Sequence, residues 1–308
     1  HLISLIYKRT HSFKDFKRIE PYVLLSNHTF VFDVVHVPIQ LKKVPFIVAN
    51  HNLFTKQPLK FLLEKIAHAI PKFKGTSDIR TARGLIGAVK RGYPICIFPE
   101  GNTTFNGETT YIEESTMKLI KKLKIDVVGV KVSGGYLSKP RWAMSKRKNR
   151  HAKINYKVII PKEDINDLTI EDINEIVNRE LYNNDYEYQR EVMIPHPGKN
   201  KAVGLENLLY ICSECESFGT LHTKGDTILC SHCNATGTVN DYGFLEGLKF
   251  DNTVDWDNWQ RNFNKQLQDE IIESPAKIYL VNDFDLSREY IGIVNIKYES
   301  KQFIISGA

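Results

Sequence analysis

The sequence predicts an α/β protein: a layered domain whose mostly central β-sheet is flanked by helices, then a small cysteine-bearing β module and a short C-terminal α+β segment. Three observations lead there. Short apolar runs alternate with stretches of helical periodicity from about residue 20 to residue 182, the pattern of strands layered with helices. Four of the 5 cysteines fall in two Cys-x2-Cys pairs. Between these regions the chain turns polar and includes His196-Pro197-Gly198, a linker signature. The expected organisation is a layered domain over 1–190, a linker over 191–204, the cysteine module over 205–245, and an extension over 246–308 that reads as cut short after an apolar run.

The elements follow in order. Residues 22–25 and 44–49 are short apolar runs of strand type. Residues 56–69 carry Leu59, Leu62, Leu63, Ile66 and Ala69 at helical spacing. Ser77 is a candidate N-cap for a helix over 78–91, with Asp78 in the first turn and Gly92 past the end. Residues 93–98 (YPICIF) read as a buried strand, 113–123 as a helix, and 127–132 and 153–160 as strands. Thr169-Ile-Glu-Asp172 is a capping box opening a helix to about residue 182. Residues 183–204 read as a polar connection. Beyond the cysteines lie Trp256 and Trp259, then β-like runs at 277–281 and 290–305.

At 308 residues, with 42% hydrophobic and 25% charged, the chain has ordinary globular composition. That excludes a disordered tail protein, a collagen-like repeat and a small disulfide scaffold. No run of 18 apolar residues occurs, so no segment here spans a bilayer by itself. No secretory signal pattern is present. The chain begins at His1, and an anchoring helix ahead of it is compatible with the sequence. The formal net charge of +6 hides a partition: +20 over residues 1–162 and −14 over 163–308. Such asymmetry points to an anionic partner for the first half.

Two motifs in the basic half carry candidate chemistry. Ser26-Asn-His-Thr-Phe-Val-Phe-Asp33 holds a His-x4-Asp pair. A carboxylate so placed can fix the histidine's tautomer and steady the imidazolium formed when it takes a proton. With 10 histidines in the chain, the spacing also arises by chance, and alone it fits a buried histidine at a helix N-terminus equally well. Ile97-Phe-Pro-Glu-Gly-Asn-Thr-Thr104 runs from a strand into a polar loop. Strand C-termini are where open α/β sheets place their sites, though an ordinary strand exit looks the same.

Taken together, Asn27-His28-x4-Asp33 and Phe98-Pro99-Glu100-Gly101, with Ile70-Pro71-Lys72-Phe73-Lys74 between them, resemble the glycerophospholipid acyltransferase superfamily. Its bacterial members include 1-acylglycerol-3-phosphate acyltransferases. The resemblance covers about residues 15–190. It implies transfer of an acyl group from acyl-CoA or acyl carrier protein to the hydroxyl of a lysophospholipid, with lysophosphatidic acid first among acceptors and another lysolipid as the alternative. By the same resemblance His28 is the general base, Asp33 orients it, and Asn27 helps hold the loop. Glu100, Gly101 and Thr103 lie at the acceptor-binding motif, and Lys74 meets the acceptor's phosphate. The hydroxyl attacks the thioester directly, without a covalent acyl-enzyme and without a metal. Cys96, in a predicted buried strand, offers no nucleophile there. Three positions depart from the family pattern: Lys74 and Thr103 stand where arginine is usual, and the block from Asp126 to Lys131 lacks its proline. Lysine keeps the charge at position 74 but not the bidentate geometry. These departures bear on the acceptor rather than on the His–Asp pair.

The stretch from Lys139 to Arg150 packs six basic residues around Trp142 and Met144. A solvated basic loop or a nucleic-acid patch has the same pattern; the acyltransferase resemblance favours a loop facing an anionic membrane surface, where Trp favours the interface and each basic residue adds roughly 1 kcal/mol. The predicted location is the cytoplasmic face of the cell membrane, peripherally attached. Cys212, Cys215, Cys230 and Cys233 have the spacing of a four-thiolate zinc ribbon, a closed structural site for one Zn2+. Gly225-Asp226 supplies a hairpin turn between the pairs. Disulfides fit poorly without a secretory signal. A nucleic-acid role is not expected, because residues 205–308 carry a net charge of −8 and an acidic ribbon suits phosphate backbones badly.

Overall fold

The main sheet has seven strands in the order β1-β7-β6-β2-β5-β3-β4. They are β1 (Arg9–Lys14), β2 (Val23–Ser26), β3 (Phe46–Asn50), β4 (Ala69–Lys72), β5 (Ile95–Ile97), β6 (Val127–Ser133) and β7 (Ala152–Ile160). The computed structural model describes residues 9–14, 21–54, 59–61, 63, 68–72, 79–145, 147, 151–266, 272–281, 288–299 and 302–306. Strands β6, β2, β5, β3 and β4 run parallel, β7 is antiparallel to β6, and β1 is parallel to β7. The centre is β2, whose four residues VLLS are all buried. Such a continuous apolar run is expected of a parallel strand covered on both faces.

Alternation along the strands divides the core in two. On one face Val23, Leu25, Ile95, Ile97 and Val127 meet three amphipathic helices. These are α2 (Ile79–Lys90), α3 (Glu114–Leu123) and α4 (Ile170–Leu181), which follow a one-turn α1 (Asp33–His36). They bury Leu85 and Ala88, Met117 and Ile120, and Ile173, Val177 and Leu181 respectively. On the other face Leu24, Cys96, Val128, Val130, Ile154 and Tyr156 pack with Val37 and Leu41. The box at Thr169 closes as predicted: its hydroxyl accepts from the Asp172 amide while Asp172 accepts from the Thr169 amide.

Two expectations are corrected. The predicted helix over 56–69 is helical at Leu59–Phe61, but Ala69 opens β4; residues 55–58, 62 and 64–67 lie outside the described residues, as do Ser77 and Asp78. Residues 183–204 are not a plain connection. They begin with α5 (Asp185–Val192), capped by Asn184, whose side chain accepts from the amides of Tyr186 and Glu187. They end with Ala202 fully buried. Asn-Asp-Tyr-Glu was a readable cap, hidden by the helix's polarity.

The cysteine module is a four-stranded antiparallel sheet of β8 (Leu221–Lys224), β9 (Thr227–Cys230), β10 (Thr236–Val239) and β11 (Leu245–Glu246). Gly225 and Asp226 form the predicted two-residue turn, with Gly225 at φ +63°. The module shares one core with Trp142, Ala202, Leu205, Leu209 and Trp256. Trp256 belongs to α6 (Thr253–Gln266). Three further strands, β12 (Ile272–Val281), β13 (Arg288–Glu299) and β14 (Gln302–Ser306), form a separate antiparallel sheet.

Candidate active site

Because β2 and β5 are parallel neighbours, the loops leaving their C-terminal ends lie side by side. This alone brings His28 and Glu100 together. The loop after β2 is pinned on its other flank by Asn27. Its side-chain amide donates to the carbonyl of Val132 (2.8 Å), and its oxygen accepts from the Val132 amide (2.7 Å). Asn27 thereby continues the β2–β6 ladder with a side chain. Gly135 completes this flank: a Cβ there would lie 2.0 Å from the Thr29 hydroxyl, so any larger residue would have to displace Thr29.

The His28 ring reaches Asp33, with Nδ1 3.3 Å from Oδ2. The same oxygen accepts from the amides of Thr29 (2.8 Å) and Phe30 (2.7 Å) and from the Thr29 hydroxyl (3.2 Å). These donors hold the carboxylate on the ring, and Asp33 is 1% exposed against 13% for His28. The carboxylate is sealed while the imidazole is reachable. A neutral ring that donates from Nδ1 to Asp33 has its lone pair on Nε2. The ring also lies against Phe98, with centroids 4.6 Å apart.

Glu100 touches His28 through the peptide. Its Oε1 accepts from the His28 amide (2.7 Å), and Oε2 accepts from the amide (2.8 Å) and hydroxyl (2.9 Å) of Thr110. Burial raises the Glu100 pKa, and the bonds from Thr110 and His28 pull against that. The His28 carbonyl accepts from the Thr104 amide at 2.8 Å. Both polar groups of the His28 peptide are thus held by the loop that follows β5. Gly101 turns that loop at φ +67°, its amide donating to Phe98, and Thr103 is half-buried within it. Lys74 lies outside the described residues. Its neighbour Lys72 pairs with Glu113 at 3.0 Å. Cys96 is fully buried on β5, and that burial pushes its thiol well above the ordinary range, which removes it as a nucleophile.

Thr29, Phe30, Thr110, Val132 and Gly135 were not singled out from the sequence. All but Gly135 act partly or wholly through backbone groups, which leave no mark on residue type. The Gly134-Gly135 pair after a strand was the one available signal.

The Trp142 expectation is overturned. Its indole is 4% exposed and donates to the Tyr136 hydroxyl at 2.8 Å, so it cannot lie at a lipid interface. Arg147 from the same stretch is also buried, with its guanidinium on the carbonyls of Leu137 and Lys201. Lys146, Lys148 and Arg150 lie outside the described residues. Among the described residues no helix is long and apolar enough to cross a membrane.

The four cysteines converge, all sulfurs lying within 4.8 Å of one another. Cys212 and Cys233 are 3.8 Å apart, as are Cys215 and Cys230. Four thiolates about 2.3 Å from one zinc ion in tetrahedral geometry stand about 3.8 Å apart, whereas a disulfide needs about 2.0 Å. The two pairs sit in matching turns. In the first, Glu216 donates to the Cys212 carbonyl and Cys212 to Ser217; in the second, Asn234 donates to Cys230 and Cys230 to Ala235. Glu216 and Asn234 share the left-handed conformation at φ +60° and +61°. Ser217 and Thr220 hydroxyls lie 3.0 and 3.2 Å from the sulfurs of Cys215 and Cys230. The donor set fits a zinc ion, and with four sulfurs it leaves no open position for a substrate.

Residues 9–133 match the family model described as Acyltransferase. The match spans the His28 and Glu100 loops, covers under half of the chain and stops before the cysteine module. The crystal structure of the 1-acyl-sn-glycerophosphate (LPA) acyltransferase PlsC from Thermotoga maritima is similar at 14% identity and a TM-score of 0.48, over 60% of this chain and 73% of that one. A likeness of that size carries no property from one protein to the other. No curated protein gives a significant match.

Proposed function

We propose that this protein is an acyltransferase that moves a fatty acyl group from acyl-CoA or acyl carrier protein to the free hydroxyl of a lysophospholipid, with 1-acylglycerol-3-phosphate as the first acceptor to test. The observation that carries the reading is the sealed Asp33 against the reachable His28. Nε2 takes the acceptor's hydroxyl proton as the oxygen attacks the thioester carbonyl. The imidazolium, steadied by Asp33, returns that proton to the sulfur as the C–S bond breaks. The products are an ester and a free thiol. General-base assistance of this kind is worth about 10²–10⁴ in rate. Two residues inside the His-x4-Asp motif, Val31 and Phe32, are 59% and 42% exposed. Large apolar side chains beside a catalytic base favour an acyl-bearing acceptor at a membrane surface. Lys74 remains the proposed contact to its phosphate, with Gly101 and Thr103 at the acceptor-binding motif. Glu100 acts by holding His28, since both its oxygens are engaged. One structural Zn2+ on the four cysteines completes the proposed protein.

The test is mass-spectrometric detection of acylated product with a panel of lysolipids and both donors. Product with a lysophospholipid that disappears in His28→Ala supports the reading. Equal turnover in the variant, or acylation of water-soluble alcohols alone, overturns it.

A further inference from the structure

The cysteine module and the His28 loop lie at opposite ends of one run of hydrogen bonds, buried at its centre. At the module end, α6 grips the segment leading into Cys212. Trp256 Nε1 donates to the Ile211 carbonyl (2.9 Å), Gln260 Nε2 donates to the Leu208 carbonyl (2.8 Å), and Gln260 Oε1 accepts from the Tyr210 amide (3.1 Å). Gln260 Nε2 also donates to Asp257 Oδ1 at 2.8 Å. Asp257 Oδ2 then accepts from Asn106 Nδ2 at 3.0 Å, and the Thr253 hydroxyl donates to the Asn106 carbonyl at 2.6 Å. Asn106 is the middle of the loop whose two ends hold the His28 peptide through Thr104 and through Glu100 and Thr110.

This junction is buried and tightly set. Thr253 and Asp257 are 1% and 2% exposed, and Asn106 is 5%. Gly107 adopts φ +113°, and a Cβ there would meet the rings of Tyr136 and Tyr186 at 3.0–3.2 Å. Loops that carry catalytic groups are commonly mobile and exposed. Here the loop centre is buried beneath a helix that belongs to another module. Rigid support of this kind is what keeps a base within the small positional tolerance catalysis requires.

We propose that the metal-binding module is a brace for the acyltransferase site, with Thr253 and Asp257 as positioning residues for loop 101–110 and, through it, for His28. The catalytic consequence rests on the acyltransferase reading above; the brace itself does not. Zinc then supports turnover without touching a substrate, because it fixes the Cys212 turn on which α6 is seated.

The experiment uses the full chain and two readouts, amide hydrogen exchange and steady-state kinetics. Thr253→Val removes the hydroxyl at nearly constant volume, and Thr253→Ser keeps it. We expect Thr253→Val to speed exchange across residues 104–110 by at least tenfold, to lower kcat by about tenfold with KM little changed, and to leave one zinc per chain. Thr253→Ser should restore both. Removing zinc with a chelator should speed exchange at 104–110 as well as at 208–234. Exchange gains confined to 208–234, or a Val variant with accelerated loop exchange and full kcat, would overturn the proposal. Should Thr253→Val fold poorly, Asn106→Ala and the chelation arm decide it by the same exchange readout. If no acyl transfer is found in the wild type, the acyltransferase mechanism fails while the exchange arm still tests the brace.

Discussion

The two candidate sites of this chain, the cysteine turns and the His28 loop, are held in opposite ways. Each cysteine turn closes on itself, with backbone bonds spanning 212–217 and 230–235 and one left-handed residue in each. The His28 loop is closed from afar, by Glu100 at a separation of 72 residues and by Val132 at 105. A local turn is specified by the residues within it, so its geometry does not depend on distant pairings. A loop held from afar is only as good as the sheet order that brings its partners in. The first is vulnerable at its ligands and the second at its remote braces.

Cys230→Ser breaks the local side of that contrast and is the largest effect expected. A structural zinc contributes on the order of 10 kcal/mol of folding free energy to its module. Elemental analysis should give one zinc per chain in the wild type and none in the variant, with a lower, broadened thermal transition. A metal-free wild type with unchanged melting would contradict it.

His28→Ala tests whether the remote braces depend on the ring they position. Glu100 and Thr104 bond only its peptide N–H and carbonyl, and Val132 bonds Asn27, so alanine keeps all three. Turnover should fall about 10²–10⁴-fold while the urea midpoint moves little. A variant that loses activity only because it unfolds would place the histidine among structural residues. Asn27→Leu should do the reverse. It strands the buried Val132 N–H and carbonyl, at about 1–3 kcal/mol each, and so should lower stability and activity together. Activity loss without destabilisation would mean Asn27 contacts substrate directly.

The same contrast explains what the sequence made legible. The convergence of the four cysteines, the hairpin turn at Gly225 and the box at Thr169 are local patterns, and each stands where the sequence placed it. The strands β2, β5 and β6 were readable because burial on two faces leaves apolar runs. The pairing of Asn27 with Val132 was not readable, since any residue at 132 has the same backbone. Trp142 misled for a related reason: an aromatic among basic residues looks the same whether the indole faces lipid or the Tyr136 hydroxyl. Helix α5 escaped because Asp185, which faces the core, reads as surface.

Asp185 supplies the smallest prediction and the sharpest probe of remote bracing. It sits fully buried at the start of α5. Its Oδ1 accepts from the Gly134 amide (2.9 Å) and Asn183 Nδ2 (2.7 Å), and its Oδ2 from the Tyr136 amide (2.6 Å). It thus fixes the segment through Gly135 that packs on Thr29. Burial is the main cause that raises its pKa to about 6, and the nearby Asp33 charge adds to it. The folded protein therefore binds a proton here more tightly than the unfolded chain does. The associated stability is fully present below the free-carboxyl range near pH 4 and is lost as pH rises through about 6. Asp185→Asn cannot titrate, so the difference in unfolding free energy between wild type and variant should change across pH 4 to 6 and be constant above 7. The amide also turns a donor toward the Tyr136 N–H, so the variant should be less stable by about 1–3 kcal/mol. Parallel pH profiles for the two proteins would mean that Asp185 stays ionised across this range, held so by its three donors against the burial.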